Sequence, residues 1–157
     1  MNDEELLRYS RQIMLPEIDV AGQERLRAAH VAIIGLGGLG SPAALYLTAA
    51  GIGTLTLVDF DTVDTSNLQR QIVHRDSQIG QLKVDSARST LLELNPGILI
   101  HTVHQVLDIH DLKELAERVD VIVDATDNFL VRYAMNSASI AAKTPLVSAA
   151  AIRFEAQ

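Results

Sequence analysis

The chain has 157 residues, 48% of them hydrophobic, which is enough for one globular domain with a real core. Its net charge of −7 argues against nonspecific nucleic-acid binding, and the lack of tryptophan leaves no evident stacking platform for single strands. Cysteine is absent, so disulfides and thiol catalysis by these residues are excluded. No long apolar run suggests a membrane span, and the acidic start Met1–Glu5 is unlike a signal peptide, so a cytoplasmic setting is expected.

In chain order, residues 3–15 predict a charged helix with apolar Leu6, Leu7, Tyr9 and Ile13, and Val20–Ala29 predicts a second. Apolar runs at 30–34, 54–58, 98–103, 120–124 and 145–149 predict strands. Helices are expected near 39–50, 80–94, 110–118 and 128–142, the second of these with Val84, Ala87, Leu91 and Leu94 on one side. The alternation implies an α/β fold: a Rossmann-like, doubly wound parallel sheet with helices on both faces, preceded by an N-terminal helical segment. Residues 1–29 form that segment and 30–157 the core of a single nucleotide-binding domain. The stretch from Pro145 to Gln157 reads as extended chain without a closing turn, which predicts an unprotected sheet edge and either a longer natural protein or a covering partner.

The most informative motif is Gly35-Leu-Gly37-Gly38-Leu-Gly40, between the first strand and an Ala/Leu-rich helix. Its spacing satisfies the dinucleotide pattern; glycines permit a tight turn and close approach to phosphate, and the helix N-terminus offers free N–H groups. Asp59 closes the next strand, about 20 residues on, where a ribose hydroxyl needs an acceptor. The same sheet edge collects Asp61, Asn67, Arg70, Lys83, Asp127 and Asn128. Two cations and a carboxylate beside a glycine loop suit ATP and Mg²⁺ better than a nicotinamide. Each residue also has a plainer reading. Arg70 and Lys83 are equally well solvated surface charges, Asp61 and Asp64 loop acids, Asn67 a turn residue, and Asp127 an N-cap. Ser41 can reach a phosphate or simply start a helix. Histidines 30, 74, 101, 104 and 110 lack metal-ligand spacing and read as structural. No Walker lysine and no nucleophile elbow is present. An NAD-dependent oxidoreductase domain accounts for the loop and Asp59 only; a non-catalytic nucleotide-binding or dimerisation module is the third reading.

Several motifs occur together in one order: Arg8-Tyr9-Ser10-Arg11-Gln12-Ile13, the glycine loop, Asp59-Phe60-Asp61, Ser66-Asn67-Leu68-Gln69-Arg70-Gln71, Gly80-Gln81-Leu82-Lys83, and Asp124-Ala-Thr-Asp127-Asn128 through Arg132. In this the chain resembles the ubiquitin-activating-type adenylyltransferases of the MoeB/ThiF/HesA group. The segment Val147–Glu155 is more similar to the molybdopterin-synthase-activating branch than to the thiamine branch. The resemblance implies ATP- and Mg²⁺-dependent adenylation of the C-terminal glycine of a ubiquitin-like sulfur-carrier protein ending in Gly-Gly. It implies catalysis by Arg11, Arg70, Lys83 and Asp127, with Asp127 holding the metal. It further implies a homodimer in which Arg11 reaches the partner's site. Chains of the group continue beyond the position of Gln157 and there carry the rest of the sheet, a crossover loop often bearing a cysteine, and two Cys-x-x-Cys pairs for structural zinc. Ala156 stands where the group often has glycine.

Overall fold

The computed structural model describes residues 1–157. Three helices open the chain: α1 (Asp3–Arg8), α2 (Ser10–Ile13) and α3 (Asp19–Ala28). Then follow β1 (His30–Ile34), α4 (Gly40–Ala50), β2 (Thr54–Val58), α5 (Lys83–Leu94), β3 (Leu99–Val103), α6 (Ile109–Ala116), β4 (Val121–Asp124), α7 (Phe129–Ala142) and β5 (Leu146–Ser148). All five strands run parallel in the order β3-β2-β1-β4-β5. The chain lays β2 and β3 to one side of β1, then returns to lay β4 and β5 on the other. This creates a topological switch point between β1 and β4.

Side chains of successive strand residues point to opposite faces, and β1 supplies both cores. Val31 and Ile33 pack with Ala44 of α4 and Val84, Ala87 and Leu91 of α5. Ala32 and Ile34 pack with Leu112 and Ala116 of α6 and Met135 and Ala138 of α7. Burial on both faces explains why the central strand β1 reads as a continuous apolar run rather than an alternating one.

Three expectations need correction. The helix predicted over 3–15 is broken at Tyr9, which leaves the helical conformation because its ring is buried against Gly51, with Asn95 Nδ2 donating to its hydroxyl at 2.8 Å. Gly51 ends α4 in the left-handed region at φ +84°, and a Cβ there would strike that ring. Leu94 does not share the buried face of α5; it is exposed in the last turn, while Val84, Ala87 and Leu91 carry the packing. The C-terminal stretch does have a closing turn. Beyond β5, short strands β6 (Ala151–Ile152) and β7 (Glu155–Ala156) pair antiparallel around Arg153, which lies at φ +58°.

Candidate functional site

The carboxyl ends of β1, β2 and β4 meet at the switch point. Gly35 donates to Val58 O at 2.8 Å and Ala125 to Ile34 O at 2.9 Å, so the glycine loop, the turn after β2 and the turn after β4 are tied together at one edge. Between them lies a cavity of about 820 Å³. It is lined by Gly35, Gly37, Gly38, Asp59, Asp61, Asn67, Arg70, Lys83, Asp127 and Asn128, all of them singled out in the sequence.

The glycine loop owes its shape to two close approaches. Gly35 lies at φ +93°, and a Cβ on it would meet the Ala125 carbonyl oxygen at 2.8 Å. Gly40 does not line the cavity; any side chain there would overlap the Gly35 carbonyl, so this glycine lets α4 start directly behind the loop. The amides of Gly37, Gly38 and Leu39 have no protein acceptor. They form an anion-ready concavity at the start of α4. Ser41, buried, donates to Leu36 O at 3.1 Å, so its hydroxyl braces the loop from within.

Asp59 is nearly buried and holds two backbone groups. Oδ2 accepts from Leu36 N at 2.7 Å and Oδ1 from Asp61 N at 2.9 Å. This carboxylate therefore couples the turn after β2 to the glycine loop and keeps lone pairs on the cavity side. Lys83 opens α5 with its side chain only 6% exposed, and its Nζ meets Asp61 Oδ2 at 2.9 Å. Asp61 itself is 51% exposed, so a buried cation is held by an anion free to move into water.

Asn67 ends a 3₁₀ turn, Thr65–Asn67, capped by Asp64, whose Oδ1 accepts from Ser66 N at 2.8 Å. The hydrogen bonds from Ser66 hold the Asp64 carboxyl below its ordinary pKa. The chain turns again as Arg70 N donates to Asn67 O at 3.1 Å, which brings Asn67 and Arg70 to the same cavity. The stem of Arg70 lies over Gly38, with its guanidinium anchored on Ser66 O at 3.1 Å.

Across the cavity, Asp127 is exposed and has no hydrogen bond or ion pair within the chain. It does not cap α7; Asn128 does, accepting from Leu130 N at 2.9 Å and Val131 N at 3.4 Å. Arg11 is remote from its own cavity. Its neighbour Gln12 donates to Ala50 O at the C-terminal end of α4, which puts α2 a helix length of about 16 Å from the glycine loop.

The five histidines form no metal-ligating group. His74 is buried with Nε2 3.2 Å from Leu36 O and Nδ1 2.8 Å from Ser86 Oγ; burial pulls its pKa below the ordinary value. Burial, aided by His101, does the same to His30. Sequence reasoning passed over two residues lining the cavity. Gln71 is 4% exposed and its Oε1 lacks any partner. Arg132 reaches back from α7 to Thr126. The apolar wall includes Phe60, from the Asp59-Phe60-Asp61 motif, and Val106 and Leu107, which lie in no motif; His104 Nε2 bonds Phe60 O at 2.9 Å along it.

The site offers free amides, three cations, an unpaired carboxylate, a carboxylate at a strand end and an unpartnered amide oxygen, beside an apolar wall. That donor set fits a nucleoside triphosphate with a magnesium ion, which binds through one or two carboxylates and the phosphates themselves. With no cysteine and no cluster of three or more His, Asp or Glu, the chain's residues do not fit a structural zinc.

Comparison with known proteins agrees with this geometry. The model of the ThiF family matches residues 9–157. The molybdopterin-synthase adenylyltransferase of Escherichia coli strain K12 is 52% identical over the whole chain, which spans 63% of that protein. The Haemophilus influenzae enzyme of the same name is 48% identical, with the chain spanning 65% of it. Among solved structures, E. coli tRNA N6-threonylcarbamoyladenosine dehydratase in complex with ATP superposes at a TM-score of 0.87. It is 26% identical and covers 94% of this chain and 60% of its own. The protein PaaA superposes at 0.86 with 34% identity, covering 96% of this chain and 49% of its own. On the glycine loop, the parallel sheet and these matches together, the chain belongs to the ThiF family.

Proposed function

We propose that the chain is the nucleotide-binding part of an ATP-dependent adenylyltransferase. It activates the C-terminal glycine carboxylate of a ubiquitin-like sulfur-carrier protein for molybdopterin synthesis. The observation that carries this reading is the convergence of Arg70, Lys83, Asp59 and Asp127 on one cavity with the free loop amides. The names of the most similar relatives and the ATP complex of a related fold support it.

In this reading Asp59 accepts from the ribose hydroxyls while holding the loop. The amides of Gly37, Gly38 and Leu39 receive phosphate oxygens, with Asn67 orienting them. Arg70 and Lys83 lie where charge builds on the departing pyrophosphate. Asp127 would hold a magnesium ion, which would supply further charge neutralisation. The carrier's carboxylate oxygen attacks the α-phosphorus, the bond to the β-phosphate oxygen breaks, and pyrophosphate leaves. The carboxylate is already ionised at neutral pH, so the residues need not remove a proton; they position two anions and offset their repulsion. Arg11 belongs to the partner's site in a homodimer, consistent with its distance from its own cavity. No helix is long and apolar enough to cross a membrane, and a cytoplasmic setting goes with the proposed reaction rather than with that absence.

Calorimetric titration with ATP–Mg²⁺ and with NAD tests the ligand. ATP-dependent pyrophosphate exchange with a carrier ending in Gly-Gly, measured beside a carrier with that tail removed, tests the reaction. Preference for NAD, or exchange indifferent to the tail, would overturn the proposal.

A further inference from the structure

Between β4 and α7 the chain is pinned on both sides of Asp127, and the pin on the amino side is a second arginine. Asp124, buried at the end of β4, accepts from Thr126 N at 3.0 Å and Thr126 Oγ1 at 2.8 Å through Oδ1, and from Ser148 Oγ of β5 at 2.7 Å through Oδ2. Arg132, on the second turn of α7, returns to the same loop. Its Nε donates to Thr126 O at 3.1 Å, and its Nη2 bridges Thr126 O and Ala149 O. The guanidinium also faces Asp124 Oδ2, with Nε at 3.7 Å. Thr126 thus has its amide held by Asp124 and its carbonyl by Arg132. The next peptide begins Asp127, and Asn128 then locks onto α7. Asp127 itself makes no hydrogen bond or ion pair, so these neighbours are what fix its backbone.

We propose that Arg132 is a positioning residue. It fixes the Thr126–Asp127 peptide so that the free carboxylate of Asp127 is aimed into the cavity, and through Ala149 it ties that aim to the adjoining residues 150–152, which form part of the cavity wall. The inference rests on the metal role assigned to Asp127 above. A planar guanidinium can serve two carbonyls and a carboxylate at once; a lysine ammonium on a straight stem cannot reproduce that fork. Arg132→Lys therefore keeps the charge beside buried Asp124, which favours folding, but releases the peptide.

The test uses the chain and its Arg132→Lys variant, with two readouts. The first is amide hydrogen exchange without ligand at Thr126 and Ala149, whose amides donate to Asp124 and whose carbonyls Arg132 holds, expected to quicken in the variant while exchange in β1 and β2 stays the same. The second is ATP affinity measured with Mg²⁺ and with EDTA. The variant should need at least about tenfold more Mg²⁺ for the same affinity, as expected when a group supporting a metal ligand is lost, with affinity in EDTA unchanged. A variant with native exchange at Thr126 and Ala149 and native Mg²⁺ dependence overturns the proposal, as does an equal loss with and without Mg²⁺. Failure of the unsubstituted chain to bind ATP with Mg²⁺ would refute the functional reading instead. Quickened exchange confined to the loop would then still establish Arg132 as its clamp.

Discussion

Removing the Asp59 carboxylate should have two separable effects, because its oxygens face two directions. Leu36 is fully buried, and its amide donates to Asp59 Oδ2 at 2.7 Å. Asp59→Ala strands that donor in a dry setting, whereas the Asp61 amide lies beside an exposed side chain and can turn to water. The loss is then about 2–3 kcal/mol, the value of one charge-assisted bond with its donor left buried. For a chain of this length that lowers the thermal midpoint by roughly 5–10 °C. The ligand effect is read with 2′,3′-dideoxy-ATP. If Asp59 accepts from the ribose, the original chain should bind this analogue at least about tenfold more weakly than ATP, and Asp59→Ala should bind the two alike. Calorimetry on both proteins with both nucleotides closes the cycle. Equal affinity of the original chain for ATP and the analogue refutes the ribose contact. An unchanged midpoint in Asp59→Ala refutes the bracing of the loop.

Asp127 and Asn128 are expected to separate cleanly. Asp127→Asn should stay within about 0.5 kcal/mol of the original stability yet lose the Mg²⁺ dependence of ATP binding, while Asn128→Ala should lose about 1 kcal/mol by removing the cap; the reverse pattern in paired unfolding and titration experiments would exchange their roles. Stability should decline as pH falls through the ordinary histidine value of 6.5. His30 and His74 titrate lower when folded, so the unfolded chain binds more protons there, and the fall levels once the folded rings are protonated. Thermal midpoints between about pH 8 and 5 should follow that course and flatten in His74→Gln; a flat profile for the unsubstituted chain would contradict the lowered titration of these rings. Arg11→Ala and Asp127→Ala proteins, each inactive alone in a full-length relative carrying these residues, should regain part of the carrier-dependent exchange when mixed, and mixed dimers that form but stay inactive would show that Arg11 does not act across a dimer.

The legible part of the fold was that governed by local pattern. Short apolar, β-branched runs bounded by glycine and polar turns mark strands at the sheet centre and at its edges alike, so β1 to β5 were recognisable within a residue or two. The glycine loop was legible because its constraint is steric and only glycine meets it. The break at Tyr9 was not, because its cause is Gly51 and Asn95, distant in sequence and adjacent only after folding. The β6–β7 hairpin carries no turn signal, since its left-handed residue is Arg153 rather than glycine or asparagine. Asp127 and Asn128 are equally good caps by composition, and only backbone geometry separates them. Gln71 and Arg132 sit in recognisable motifs, but what they touch depends on how β4, β5 and the turn after β2 converge.

The ion pair between Lys83 and Asp61 has a consequence for the energetics of the cavity. The lysine leaves bulk water when the chain folds, with Asp61 already beside it, so an arriving triphosphate meets a cation whose dehydration is complete. In the proposed reading, binding there would exchange one anionic partner of Lys83 for another. The strength of the exchange is set by the difference between a phosphate and a carboxylate at the same ammonium. Ionic strength should therefore weaken ATP binding less steeply than the number of cations around the cavity suggests, because one of them arrives already neutralised.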